Sequence, residues 1–276
     1  MSSHKPIFLL GTGRCGSTFW QRVLCQLEDI WIWGEHDGFL VNLAGIQCHF
    51  DVDKPLAKWS FSHNAIIDPQ SVGKDQAHLF AWNNGFTPEL VNDCIQKTIV
   101  EIFTAGLPAG KHRWGFKEIR YGHTDRVPEF LLNLFPESKI IVIARDPMDT
   151  VISTIKAWHY EELVKHQANQ ANSLIQLTSL YYSRWLRFFR HMESLSDLYP
   201  DRVWSVSLAA QSQLYPLMDF LEVTDRSTTA NFSFEPINIS PRPANDASVE
   251  FVCSHYSSIA LADMDEISRL KRVFKF

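Results

Sequence analysis

The apolar residues of this 276-residue chain fall into short unbroken runs alternating with longer stripes at helical spacing. Ile7-Phe8-Leu9-Leu10 is one such run, as a strand buried on both faces would be. A glycine-rich turn follows it. Phe19, Val23, Leu24 and Leu27 then recur at helical spacing, which predicts a helix over 17–28. Thr87 before Pro88 marks a helix start, and the pattern continues to 106. Arg113–Phe116 reads as a short strand leading into Lys117-Glu118. Ile140–Ala144 is a second buried run, after which Asp146 can cap a helix that has Pro147 at its first position. Leu174–Leu195 reads as a long helix packed on the sheet, with Tyr181, Trp185, Phe188 and Phe189 along it. Val203–Val206 reads as a strand, Leu214–Leu221 as a helix and 263–274 as a closing helix. The stretch 224–248, rich in Ser, Thr, Asn and Pro, reads as loop, and 48–86 has no clean period. Apolar strands alternating with helices imply an α/β fold. We expect a single domain over 1–276 with a central parallel sheet flanked by helices.

Two strand-to-helix passages carry candidate chemistry. The first is Gly11-Thr12-Gly13-Arg14-Cys15-Gly16-Ser17-Thr18. Glycines let consecutive N–H groups point inward, and the helix that begins there offers its positive end, so the segment suits a phosphate-like or sulfate-like anion. Gly11 and Gly16 have Walker A spacing, but Ser17 stands where that motif needs lysine. Arg14 is the cation of the loop, and its fork suits bidentate binding of a terminal anionic group. A tight turn in an ordinary α/β sheet is the plain alternative. The second passage places Arg145 at the carboxyl end of its strand, where ligands bind in open α/β sheets, and Ser153 two turns into the next helix.

Taken together, Gly13-Arg14-Cys15-Gly16-Ser17-Thr18 and Arg145-Asp146-Pro147 with Ser153 resemble the motifs of sulfotransferases that use 3′-phosphoadenosine 5′-phosphosulfate (PAPS). The resemblance covers residues 6–36 and 111–157. It implies a P-loop-like nucleotide-binding fold, in which Arg14, Cys15, Gly16, Ser17 and Thr18 wrap the 5′-phosphosulfate and Arg145 and Ser153 bind the 3′-phosphate. Phe19 stands where such proteins stack an aromatic on adenine, although core packing explains it equally well. Tyrosylprotein and several bacterial members carry a catalytic glutamate after the first helix, which makes Glu35 the candidate general base. Trp31 and Trp33 would help to desolvate it. His36 is the second choice, and a polar turn the plain alternative. Lys117 corresponds to the lysine that touches the sulfuryl bridge, and Arg120 would hold the acceptor or orient Glu35. Arg242 is a weaker candidate for the 3′-phosphate, and 48–86 for a lid over the acceptor. PAPS is then the co-substrate, and no metal is expected, because arginine, lysine and loop amides supply the positive field.

Composition agrees with an enzyme of this kind. The chain is 45% hydrophobic and 21% charged, with a net charge of −5, which argues against nucleic acid or an anionic membrane as partner. No segment approaches the ~20 apolar residues of a membrane span, and the N-terminus does not read as a signal peptide. Five scattered cysteines without a CxxC pair point to reduced thiols and a cytoplasmic setting. With 9 Trp and 19 Phe, the acceptor is expected to be a small ring-bearing or apolar molecule, with a glycan or peptide left open. A P-loop nucleotide kinase is the competing class, weakened by the missing lysine, and a non-catalytic relative is the third.

Overall fold

The computed structural model describes residues 5–50, 87–122, 124–164, 171–207, 211–224 and 246–275. Five strands form one sheet: β1 (Ile7–Gly11), β2 (Ile30–Trp33), β3 (Arg113–Glu118), β4 (Lys139–Ala144) and β5 (Val203–Ser207). Their order is β2-β3-β1-β4-β5, and every pairing is parallel. The helices between them are α1 (Ser17–Cys25), α2 (Leu40–Cys48), α3 (Pro88–Thr104), α4 (Val127–Leu134), α5 (Pro147–Trp158), α6 (Tyr160–Val164) and α7 (Ala171–Leu198). After β5 come α8 (Leu214–Phe220), α9 (Asp246–Ala260) and α10 (Met264–Phe274).

The side-chain alternation of a strand explains the two layers. Ile7 and Leu9 of β1 join Ile141, Ile143 and Val206 on one face, where Trp20, Val23 and Leu24 of α1 and Leu214, Leu217 and Met218 of α8 cover them. Phe8 and Leu10 point to the other face, with Phe116, Ile140 and Val142. There the cover comes from α3, α4, α5, α7, α9 and α10. All four of these β1 residues are fully buried, each contributing roughly 1.5–3 kcal/mol.

The expected α/β architecture with a parallel central sheet is present. Five elements were not read from the sequence: β2, α2, α4, α6 and α9. Helix α1 is shorter than expected. It ends at Cys25 because the Gln26 and Leu27 amides bond to Val23 and Leu24 three residues back, tightening the last turn. The loop expected over 224–248 gives way to α9 at Asp246, whose carboxylate lies in the first turn of that helix. Residues 225–245, including Arg242, lie outside the described residues, as do 51–86 of the expected lid. Among the described residues, no helix is long and apolar enough to cross a membrane.

The strand order matters for function. The residues that end or follow β2, β3, β1 and β4 come out on the same side of the sheet. The register sets Leu9 beside Lys117, Leu10 beside Glu118, and Gly11 beside Ile143.

Candidate functional site

The loop after β1 is held open by backbone conformation. Arg14 and Gly16 both adopt left-handed φ, 63° and 96°. Gly16 is the N-cap of α1 and brings no side chain to the cap, and its carbonyl accepts from the Phe19 amide at 3.0 Å. Gly13 lies under the indole of Trp158. A Cβ there would come within 2.3 Å of the ring. Cys15 is fully buried, and burial pushes its thiol up to about 11. It can therefore serve a ligand only through its backbone. Ser17 is buried and Thr18 exposed. Thr12 Oγ1 is buried without a hydrogen-bond partner, an unmet polar group of the kind a bound anion or its water would satisfy.

The second passage folds onto this loop. Arg145 donates to the Arg14 carbonyl at 3.0 Å, and Arg14 Nε lies 3.5 Å from Ser153 Oγ. Asp146 caps α5 by accepting from the Met148 and Asp149 amides, and Trp185 Nε1 donates to the Arg145 carbonyl at 3.1 Å. Thr154 Oγ1 reaches the Gly13 carbonyl at 3.4 Å. Arg14, far in sequence from Arg145 and Ser153, thus forms one basic corner with them. The Arg145 side chain is about a quarter exposed there, at 27%. Phe19 is half-buried, packed edge-on against Trp20 with ring centroids 5.4 Å apart.

A charged cluster forms where β2 and β3 end. Glu35 Oε1 accepts from Lys117 Nζ at 2.5 Å, and Oε2 from Arg120 at 3.1 Å. Lys117 is buried, while the Glu35 side chain keeps 31% exposure. Trp33 turns its indole N–H to the Phe103 carbonyl on α3, and two cations, Lys117 and Arg120, meet the Glu35 carboxylate. Glu35 follows a strand rather than the helix directly, because β2 intervenes.

Glu118 organises this cluster from below. Fully buried, it accepts from the amides of His36 (3.2 Å), Gly38 (3.0 Å), Ile119 (2.8 Å) and Arg120 (3.3 Å), and from the Arg120 guanidinium (2.7 Å). Burial pushes its carboxyl up, yet these donors outweigh burial and hold it below the ordinary glutamate value. Burial pushes the His36 imidazole down, against the pull of Glu118. His36 Nε2 lies 2.5 Å from the Tyr121 hydroxyl, and its ring packs on Phe39 and Phe116.

A cavity of about 720 Å³ opens beside the loop. Gly11, Thr12 and Gly13 line it, as do Glu35 and Arg120. Helices α5 and α7 add Thr154, Trp158, Tyr181, Arg184 and Arg187. Of the two base candidates, Glu35 reaches this wall and His36 does not. The sequence reading missed Glu118, Tyr121 and the α7 side chains. Tyr181 was visible as one aromatic in a helix, but nothing in the pattern said which flank of that helix would face a cavity. Among the described residues, no group of His, Cys, Asp and Glu could hold a metal ion.

A glycine loop on a parallel sheet, a basic corner beside it and a carboxylate–lysine pair at the ends of β2 and β3 make up the candidate site. The chain matches the model of the Sulfotransferase family over residues 6–207 and belongs to that family. A search of curated protein sequences gave no match. Among solved structures, it is similar to the sulfotransferase domain of the Synechococcus PCC 7002 olefin synthase, at 16% identity, covering 92% of this chain and 96% of that one with a TM-score of 0.45. A sulfotransferase from Alicyclobacillus acidocaldarius matches at 14% identity, 93% and 95% coverage and a TM-score of 0.47. The sulfotransferase domain of the curacin biosynthetic pathway matches at 18% identity, 92% and 98% coverage and a TM-score of 0.46.

Proposed function

We propose that this sulfotransferase, one domain over 1–276, takes its sulfuryl group from PAPS and passes it to a hydroxyl or amine of a small acceptor. Glu35 is the general base of this reading. The observation that carries it is the Glu35–Lys117 pair, 2.5 Å apart, with Glu35 on the wall of a 720 Å³ cavity that also touches the β1 loop. The donor supplies a sulfuryl group on a phosphate leaving group, and the rest of the chemistry falls to the chain.

The amides from Gly13 to Thr18, with the Arg14 side chain, bind the phosphosulfate end, and Cys15 takes part through its backbone. Arg145 and Ser153 bind the 3′-phosphate at the basic corner, and Phe19 lies against the adenine. Glu35 accepts the acceptor proton as the oxygen or nitrogen attacks sulfur. Lys117, already in contact with that carboxylate, is placed to meet the negative charge that grows on the bridging oxygen. Arg120 joins Glu35 to Glu118 and fixes its orientation. Since these cations supply the field, no divalent ion enters the reaction. The five free cysteines fit a cytoplasmic setting.

The test is transfer from ³⁵S-labelled PAPS to a panel of hydroxyl and amine acceptors in EDTA. Labelled product with release of 3′,5′-ADP is expected. Activity abolished by EDTA and restored by Mg²⁺ or Zn²⁺ would contradict the proposal.

A further inference from the structure

Two arginines on α7 have no role in the chemistry above. Arg184 and Arg187 are exposed and line the same cavity as Glu35. Among the described residues, neither makes a hydrogen bond or ion pair, and the guanidinium carbon of Arg184 lies 5.8 Å from the centre of the Tyr181 ring. The next arginine along α7, Arg190, is by contrast bound to Glu266 and Asp263. The carboxylates of the cavity are already engaged. Glu35 is held by Lys117 and Arg120, and Asp125 accepts from the Gly122 amide at 2.8 Å and the Val127 amide at 3.0 Å.

Arginines three apart lie on one helix face and repel each other, a cost that an anion between them would relieve. The fork of each suits a carboxylate or phosphate. Tyr181 is fixed by His159 Nε2 at 2.7 Å, and its ring stands 6.0 Å from that of Trp158, so an aromatic wall adjoins the cations.

We propose that the acceptor carries, besides the group to be sulfated, an anionic group held by Arg184 and Arg187. This rests on the sulfotransferase reading above. The anion is a carboxylate or a phosphate, and the body between the two ends is apolar enough to lie on Trp158 and Tyr181.

The test titrates three probes into the 3′,5′-ADP complex by calorimetry: 4-hydroxyphenylacetate, its primary amide and 4-hydroxybenzylphosphonate. Both anions are expected to bind at least ~10-fold tighter than the amide, and the stronger of the two names the group. The double variant Arg184→Gln/Arg187→Gln should erase the preference, and Arg184→Lys/Arg187→Lys should keep part of it. Both variants should bind 3′,5′-ADP as the wild type does. An amide that binds as well as the acids, or no binding by any probe, would overturn the proposal. So would weakened 3′,5′-ADP binding in the Gln variant, since the arginines would then serve the donor. Failure of the wild type to bind 3′,5′-ADP would instead defeat the sulfotransferase reading itself.

Discussion

In the proposed function, Glu35 is the residue on which the chemistry turns. Glu35→Gln keeps the shape and removes the proton acceptor, so turnover should fall by roughly 10²–10⁴ while 3′,5′-ADP binding stays within a few-fold. A structural Glu35 would instead damage folding or nucleotide binding together with rate, and a near-wild-type rate with an inactive but folded His36→Ala would move the base to His36. Lys117→Met should lower kcat by roughly 10²–10³ with little change in 3′,5′-ADP affinity, as expected when a group acts on charge that develops only in the transition state. Single-turnover kinetics separate that outcome from weakened binding. Lys117 was legible as a lysine at the end of a strand, where an open α/β sheet faces its ligand, whereas Glu35 came only from the family resemblance, since β2 before it was not read. Glu118 was not legible as an organiser. Its role depends on the path of 36–38, which brings the His36 and Gly38 amides onto one carboxylate from some 80 positions away. Arg184 and Arg187 were hidden for a similar reason, since the flank of α7 that meets the cavity is set by how α7 packs on α5.

The loop between β1 and α1 works as an element, because its turn is built on left-handed backbone at Arg14 and Gly16. Gly16→Ala puts a Cβ on φ 96°. It should cost about 1–2 kcal/mol, visible as a lower urea midpoint, and should reduce the stabilisation that 3′,5′-ADP gives. Unchanged stability and unchanged binding would mean that the loop adopts another shape. The elements legible in the sequence were those with strong local signals: the β1 and β4 apolar runs, the Thr87-Pro88 start of α3, and the Asp146-Pro147 start of α5, whose capping bonds are present. The elements that escaped notice have weaker ones. Strand β2 is only Ile30–Trp33, and its alternating Ile and Trp side chains read as aromatic clutter until β3 is set beside them. Helix α4 begins at Arg126 in a left-handed conformation, without a side-chain cap of its own, and Asp125 makes the bond to the Val127 amide instead.

At the scale of the whole molecule, stability and function meet at the buried charges. The folded-state values of His36 and Glu118 both lie below their ordinary values of 6.5 and 4.5. A depressed value means that the unfolded chain takes up the proton first. Stability from His36 is therefore complete above pH 6.5 and declines as pH falls through its folded value, and Glu118 adds a second decline below 4.5. Chemical denaturation across this range should show both. Glu118→Gln should be less stable at pH 7 and should lose the lower decline, whereas a mutant with the wild-type slope would show that Glu118 does not carry it. The proposed function requires the β1 loop and the Arg14–Arg145–Ser153 corner together to recognise a 3′-phosphorylated adenine nucleotide. The most direct measurement is calorimetric titration of 3′,5′-ADP and of 5′-ADP, both in EDTA, into the wild type and Arg145→Ala. The wild type is expected to bind 3′,5′-ADP at least ~10-fold tighter. Arg145→Ala should erase that preference at a cost of roughly 2–3 kcal/mol. Equal affinity of the wild type for the two nucleotides, or binding that appears only for ATP with Mg²⁺, would contradict it.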